Sequence, residues 1–124
     1  MTVRLDKKKI FLLYQYYLLG EINEGENEKK LIDWFDRFLK KENFLKQKVA
    51  NKLKKNWDFF RLPPLEKAIL IYGAYELFFE QEPEHSNLVI NNVINFSKAY
   101  LEKEKVGYIN KVLDLLAEEK RVNK

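Results

Sequence analysis

The sequence predicts an all-α fold, a compact single-domain bundle of about six or seven helices. Three observations lead there. Apolar residues recur at the i, i+3, i+4, i+7 spacing of one helix face, and no strand-like alternation persists anywhere. Glycine (4) and proline (3) are too scarce among 124 residues to punctuate the many turns of an all-β fold. Apolar residues make up 46% and aromatics 15%, ample for a packed interior, and the length suits one domain rather than two.

The elements follow in order. Ile10, Leu13, Tyr14, Tyr17 and Leu18 form the inward stripe of a first helix, capped by Asp6 and ended near Gly20. Glu21 to Asn27 is polar, holds Gly25 and reads as a loop. Leu31, Trp34, Phe35, Phe38 and Leu39 repeat the stripe in a second helix. A third runs roughly from Glu42 to Trp57 on Leu45, Val49 and Leu53, which closes an N-terminal set of helices at about residues 1–57. Pro63 and Pro64 mark the clearest boundary, since a proline fits a first helical turn but not an interior. The C-terminal set, about residues 63–120, opens with a fourth helix from Leu65 to about Phe79. Its stretch Ala68 to Tyr75 is apolar nearly all round, as expected of a central helix covered on several sides. Pro83 ends that run, and Ser86 or Asn87 caps a fifth helix with Val89 or Ile90, Val93, Ile94 and Ser97 inward, reaching about Leu101. Glu102 to Lys105 reads as a charged connector, and Ile109, Val112, Leu113 and Leu116 mark a sixth helix.

Composition limits the function classes. Net charge is +4, but residues 1–62 hold 15 Lys and Arg against 9 Asp and Glu, whereas residues 63–124 hold 8 against 10. A basic front half suits a polyanionic partner. Without cysteine there is no disulfide framework and no thiolate metal site. No signal peptide is visible, and the longest apolar stretch, Ala68 to Phe79, falls short of the ~20 residues a membrane span needs. A cytoplasmic location without membrane attachment is the expectation. His85 is the single histidine, read as part of a surface turn. Neither Ser86 nor Ser97 has a nucleophile's neighbourhood, and no glycine-rich phosphate loop occurs. No catalytic residue, cofactor or metal is expected.

At Leu65 the sequence becomes specific. Arg61-Leu62-Pro63-Pro64-Leu65-Glu66-Lys67-Ala68-Ile69-Leu70, followed by Tyr75-Glu76-Leu77, resembles the "RL…EKAILR…YEL" helix of NusB proteins. Val89-Ile90-Asn91-Asn92-Val93-Ile94-Asn95-Phe96-Ser97-Lys98 is similar to that family's "AINEAVELAK" helix. Tyr108-Ile109-Asn110-Lys111-Val112-Leu113-Asp114 is similar to "FVNGVLD", and Leu13-Tyr14-Gln15 to the "ALYQ" of the first helix. The three C-terminal motifs keep the family's order and spacing and cover about half the chain. Departures are Asn92 for a glutamate, Lys111 for a glycine, Ile71 for an arginine and Tyr100-Leu101 for "FG". The family's arginine-rich start is reduced to Arg4 and Lys7 to Lys9.

The resemblance implies a NusB-like bundle that pairs with NusE, a ribosomal protein of the small subunit. Together they would bind single-stranded boxA-type RNA within the antitermination complex of RNA polymerase and promote read-through of ribosomal RNA operons. It implies binding without catalysis. Two other classes stay open: a NusB-like bundle used purely for protein interaction, and the RNA-binding head of a ribosomal RNA methyltransferase if the sequence is a fragment. A homodimer is likewise left open.

Four stretches are candidate sites. Arg4, Lys7, Lys8 and Lys9 at the mouth of the first helix could track phosphates, with Tyr14 either stacking on an unpaired base or filling the core. By the resemblance, Lys103, Lys105, Tyr108 and Asn110 lie beside that basic start and complete the RNA surface, against a reading as solvated loop and half-buried ring. Lys40, Lys41, Lys46, Lys48, Lys52, Lys54 and Lys55 face only Glu42 in the third helix and read as a solvated face. Glu66 matches the family glutamate implied to meet NusE. Tyr72, Tyr75, Glu76 and Phe79 could add contacts there, with core packing the alternative for the aromatics.

Overall fold

A computed structural model describes residues 3–54 and 58–122. Among them are six α-helices: α1 (Lys7–Leu19), α2 (Lys29–Leu39), α3 (Glu42–Lys52), α4 (Pro64–Tyr75), α5 (Ser86–Lys98) and α6 (Lys103–Val122). Short 3-10 turns at Glu24–Glu26, Phe59–Arg61 and Pro83–His85 link them, and no strand occurs among the described residues. The all-α prediction holds.

α4 is the hub. Every residue from Ala68 to Tyr75 is buried, and α1, α3, α5 and α6 all pack on it. Gly73 allows the α6 contact, because a Cβ there would lie 2.8 Å from Cδ2 of Leu113. α1 runs antiparallel along α4: its N-cap Asp6 meets Tyr72, and Tyr17 meets Lys67. Buried residues from all six helices join in one core.

Local chemistry explains the ends. The Asp6 side chain accepts from the backbone N–H of Lys8 at 3.0 Å, satisfying one of the donors a helix start leaves unpaired. Gly20 closes α1 at φ +84°, where a side chain would be strained, and its N–H donates to the Tyr16 carbonyl. Beyond Tyr75 the helix widens into a π turn, Glu76–Glu80, with the Gln81 N–H reaching back to the Glu76 carbonyl. The Lys120 ammonium at the far end of α6 donates to the carbonyl of Phe78 in that turn at 2.8 Å.

Several boundaries differ from the sequence reading. α3 stops at Lys52 rather than near Trp57, because Leu53 is already extended; Lys55 and Trp57 lie outside the described residues. α5 ends at Lys98, and the expected charged connector is largely the first turn of α6, which begins at Lys103. Ser86 sits inside α5 and is buried, with His85 at the cap position. The α1 stripe is also rotated: Leu12 is buried, whereas Leu18 is 53% exposed. Having α4 on one side and α2 and α3 on another, α1 buries a broader arc than the five-point stripe marked.

Candidate nucleic-acid interface

The basic start is docked, not loose. Residues Val3 to Asp6 precede α1 without regular structure, and two long-range bonds hold them. The Asp6 N–H donates to the Tyr72 hydroxyl at 2.9 Å, and the Asn92 amide donates to the Val3 carbonyl at 3.2 Å. The four cations are then not equivalent. Arg4 and Lys7 are exposed. Lys8 ion-pairs with Glu28, whose carboxylate raises the ammonium pKa. Lys9 is half-buried with its ammonium 5.1 Å from the Trp34 ring centroid.

Beneath this segment lies Glu76, 6% exposed, sharing a cleft with Arg4, Lys7, Tyr72 and Glu80. Burial pushes its carboxyl up from 4.5 to about 7; Glu80 adds to the rise, while the Lys9 cation and a hydrogen bond with Tyr72 act against it. Tyr72 thus links the Asp6 backbone to Glu76, and burial raises its own phenol pKa.

The second set is organised around Glu66, 4% exposed in the first turn of α4. The Tyr108 hydroxyl donates to its carboxylate at 3.0 Å, and the Lys105 ammonium lies 3.5 Å from the same oxygen. Desolvation, then the Glu66 charge, drives the Tyr108 pKa upward. Lys103 and Asn110 are exposed on α6. Sequence reasoning placed Glu66 on a protein-partner surface and Lys105 and Tyr108 on an RNA surface. The structure joins all three in one network, with Glu66 buried and Lys105 and Tyr108 partly exposed.

That geometry also separates the two basic sets. One lies against Tyr72 in the last turn of α4 and the other against Glu66 in its first, roughly 9 Å apart along the helix at 1.5 Å per residue. Phe11 and Tyr14 of α1 fall between them. Tyr14 is half-buried against the core, intermediate between the two readings.

The partner candidates need correction. Tyr72 (2% exposed) and Tyr75 (3%) are core residues, Tyr75 wedged between Trp34 at 5.2 Å and Phe79 at 5.6 Å, so neither ring offers area to a partner. Glu76 is buried as well. What stays outside on this face is Phe79, 39% exposed, edge-on to Phe44 at 5.5 Å with the Lys41 ammonium 4.5 Å from its ring.

Sequence reasoning missed two features. Glu42, noted only as a lone acid among lysines, accepts hydrogen bonds from Tyr16 (2.9 Å) and Tyr17 (3.1 Å) and pairs with Lys46. Burial and the Glu42 bond push the Tyr16 phenol up to about 12. In the lysine run, Lys48 and Lys52 both clamp Glu119 of α6, so part of the expected solvated face is a helix-to-helix tie. The second feature is an exposed aromatic group. Phe11 (41% exposed) meets Phe96 at 5.8 Å and Tyr100 (50% exposed) at 6.0 Å. Position 11 is four after Lys7 and three before Tyr14, which places it on their face, off the apolar stripe of α1.

His85 is half-buried, its Nδ1 without solvent or a hydrogen-bond partner, so the expected surface turn is a packed one. Among the described residues no group of His, Asp or Glu side chains has the arrangement to hold a metal ion. No helix there is long and apolar enough to cross a membrane.

Among the described residues a six-helix bundle thus carries a docked basic start and an exposed aromatic group. The chain belongs to the NusB family, whose sequence model matches residues 6–118. It is 39% identical over 83 residues to the transcription antitermination protein NusB of Helicobacter pylori, an alignment covering 67% of this chain and 58% of that protein. The same figures hold for the NusB of Helicobacter acinonychis. With the NusB of Methylacidiphilum infernorum it shares 27% identity over 128 residues, covering 89% of each. The chain thus spans less than two thirds of the Helicobacter relatives. No solved structure matches it significantly.

Proposed function

We propose that this chain is a transcription antitermination factor that binds boxA-type single-stranded RNA jointly with the ribosomal protein NusE. In this role it promotes read-through of ribosomal RNA operons by RNA polymerase, as a binding protein of the cytoplasm rather than a catalyst. The observation that carries the reading is the docked N-terminus. Bonds from Asp6 to Tyr72 and from Asn92 to Val3 hold the backbone, so Arg4 and Lys7 are presented from a fixed frame beside Phe11 and Tyr14. Cations fixed before binding cost less ordering when they meet phosphates, and neighbouring rings can stack on unpaired bases. Lys103 and Asn110 extend the surface at the other end of α4. NusE is assigned to the edge of α6 over the buried Glu66, where Lys105, paired with that carboxylate, stays partly exposed.

A titration of boxA-type and scrambled RNA at two salt concentrations, with and without NusE, tests this. Preference for boxA that strengthens with NusE is expected. Replacing Lys7, Lys8 and Lys9 with alanine should weaken binding and flatten the dependence of log K on log salt by up to about 2, at ~0.7 for each lost phosphate contact. Equal affinity for both RNAs would defeat the reading. The interaction-only alternative is favoured by the internal engagement of Lys8 and Lys9; NusE pairing without RNA binding would establish it.

A further inference from the structure

We propose that the open groove between α1 and the loop entering α2 takes one unpaired nucleobase of the bound RNA, stacked on Phe11 and read at its edge by Gln15 and Asn27. This inference rests on the RNA-binding reading above and adds to it a site whose Phe11 and Asn27 lie outside the sequence motifs.

The groove is lined by Phe11 and Gln15 of α1, by Asn27 ahead of α2, and by Lys8 and Glu28 at its rim. Phe11 is suited to be a stacking surface. Phe96 and Tyr100 approach it edge-on, at interplanar angles of 63° and 78°, and fix its ring while it stays 41% exposed. A base–aromatic stack needs such an immobile, accessible face.

The two amides are held by a single residue. Gln15 accepts from the Asn23 N–H through Oε1 at 3.4 Å, and Asn27 donates through Nδ2 to the Asn23 carbonyl at 2.6 Å. Asn23 is itself set by accepting from the Gly25 N–H. With those ends engaged, Gln15 offers its Nε2 donor and Asn27 its Oδ1 acceptor. A donor beside an acceptor is the complement of a nucleobase edge, where a ring nitrogen adjoins an exocyclic amine or carbonyl. Glu26 and Glu28 make the rim unfavourable for a phosphate, although Lys8 neutralises Glu28. The backbone therefore passes on the Lys7 side, with the base alone pointing inward.

The test is an abasic scan of a boxA-type RNA against the full chain. The scan should find one position where removing the base weakens binding. Phe11→Leu keeps apolar volume without a ring, and Gln15→Met keeps the side chain's length and neutrality while removing the donor. Each should weaken binding of the intact RNA about tenfold and cost nothing further on the RNA abasic at that position. A 2-aminopurine placed there should be quenched by the wild-type protein and not by Phe11→Leu. Losses equal on intact and abasic RNA, or no effect of either variant on RNA that still depends on Lys7, would overturn the groove alone. Failure of the wild-type protein to bind RNA at all would overturn the function on which it rests.

Discussion

Glu76→Gln is the substitution whose outcome the structure specifies most fully. The carboxyl is 6% exposed where α4 gives way to the π turn, and burial lifts it from 4.5 to about 7. At about 1.4 kcal/mol for each tenfold change in proton affinity, that rise corresponds to roughly 3 kcal/mol of linkage. Below the unfolded value the group is protonated in both states and costs nothing. As pH climbs from 4.5 toward about 7, the unfolded chain gives up this proton first, so folding becomes progressively less favourable. Above about 7 the native carboxyl ionises too and the deficit stays constant. Glutamine preserves the shape and removes the titration. Denaturant unfolding followed by far-UV circular dichroism, from about pH 4 to about pH 8, should show the wild type losing roughly 3 kcal/mol more than the variant. Other carboxylates titrate in both proteins and cancel in the difference. Parallel stability–pH curves would refute the reasoning.

Three further outcomes follow from the packing. Gly73→Val should destabilise by about 2–3 kcal/mol in urea melts, because its Cβ falls 2.8 Å from a Leu113 methyl in a filled core; trimming Leu113 to alanine in the same protein should recover part of the loss, and additive losses would argue against a steric cause. Glu66→Ala removes an acceptor for the Tyr108 hydroxyl and a partner of Lys105, so a loss of about 1–2 kcal/mol is expected; unchanged stability would mean the network adds nothing. Asp6→Ala removes the α1 cap at a cost of about 1 kcal/mol. It should also lower RNA affinity by loosening the docked start, and a melting loss without an affinity loss would separate the two roles.

The helices were legible in the sequence because each carries its own periodic apolar stripe, and a stripe is a local property. Ala68 to Tyr75, apolar all round, announced a central helix, and α4 is the hub on which four others pack. The ordered motifs from Leu65 onward pointed to the family that the chain matches over residues 6–118. The surface was less legible. Tyr72 and Tyr75 carry groups that suit an interface, and only their neighbours show that they are core. Lys7, Lys8 and Lys9 read as one basic run, yet the turn of α1 sends Lys8 to Glu28 and Lys9 onto Trp34.

Amino-acid order by itself determined which segments are helical and which face of most of them turns inward, since both depend on spacing within a few turns. Tertiary structure alone decided that Glu42 receives two tyrosines, that Glu66 joins Tyr108 and Lys105, and that Phe11 stands beside Tyr100. Those groups are 25 to 42 residues apart for the carboxylates and farther for the rings. Their meeting depends on how helices rotate and cross, which no local pattern records.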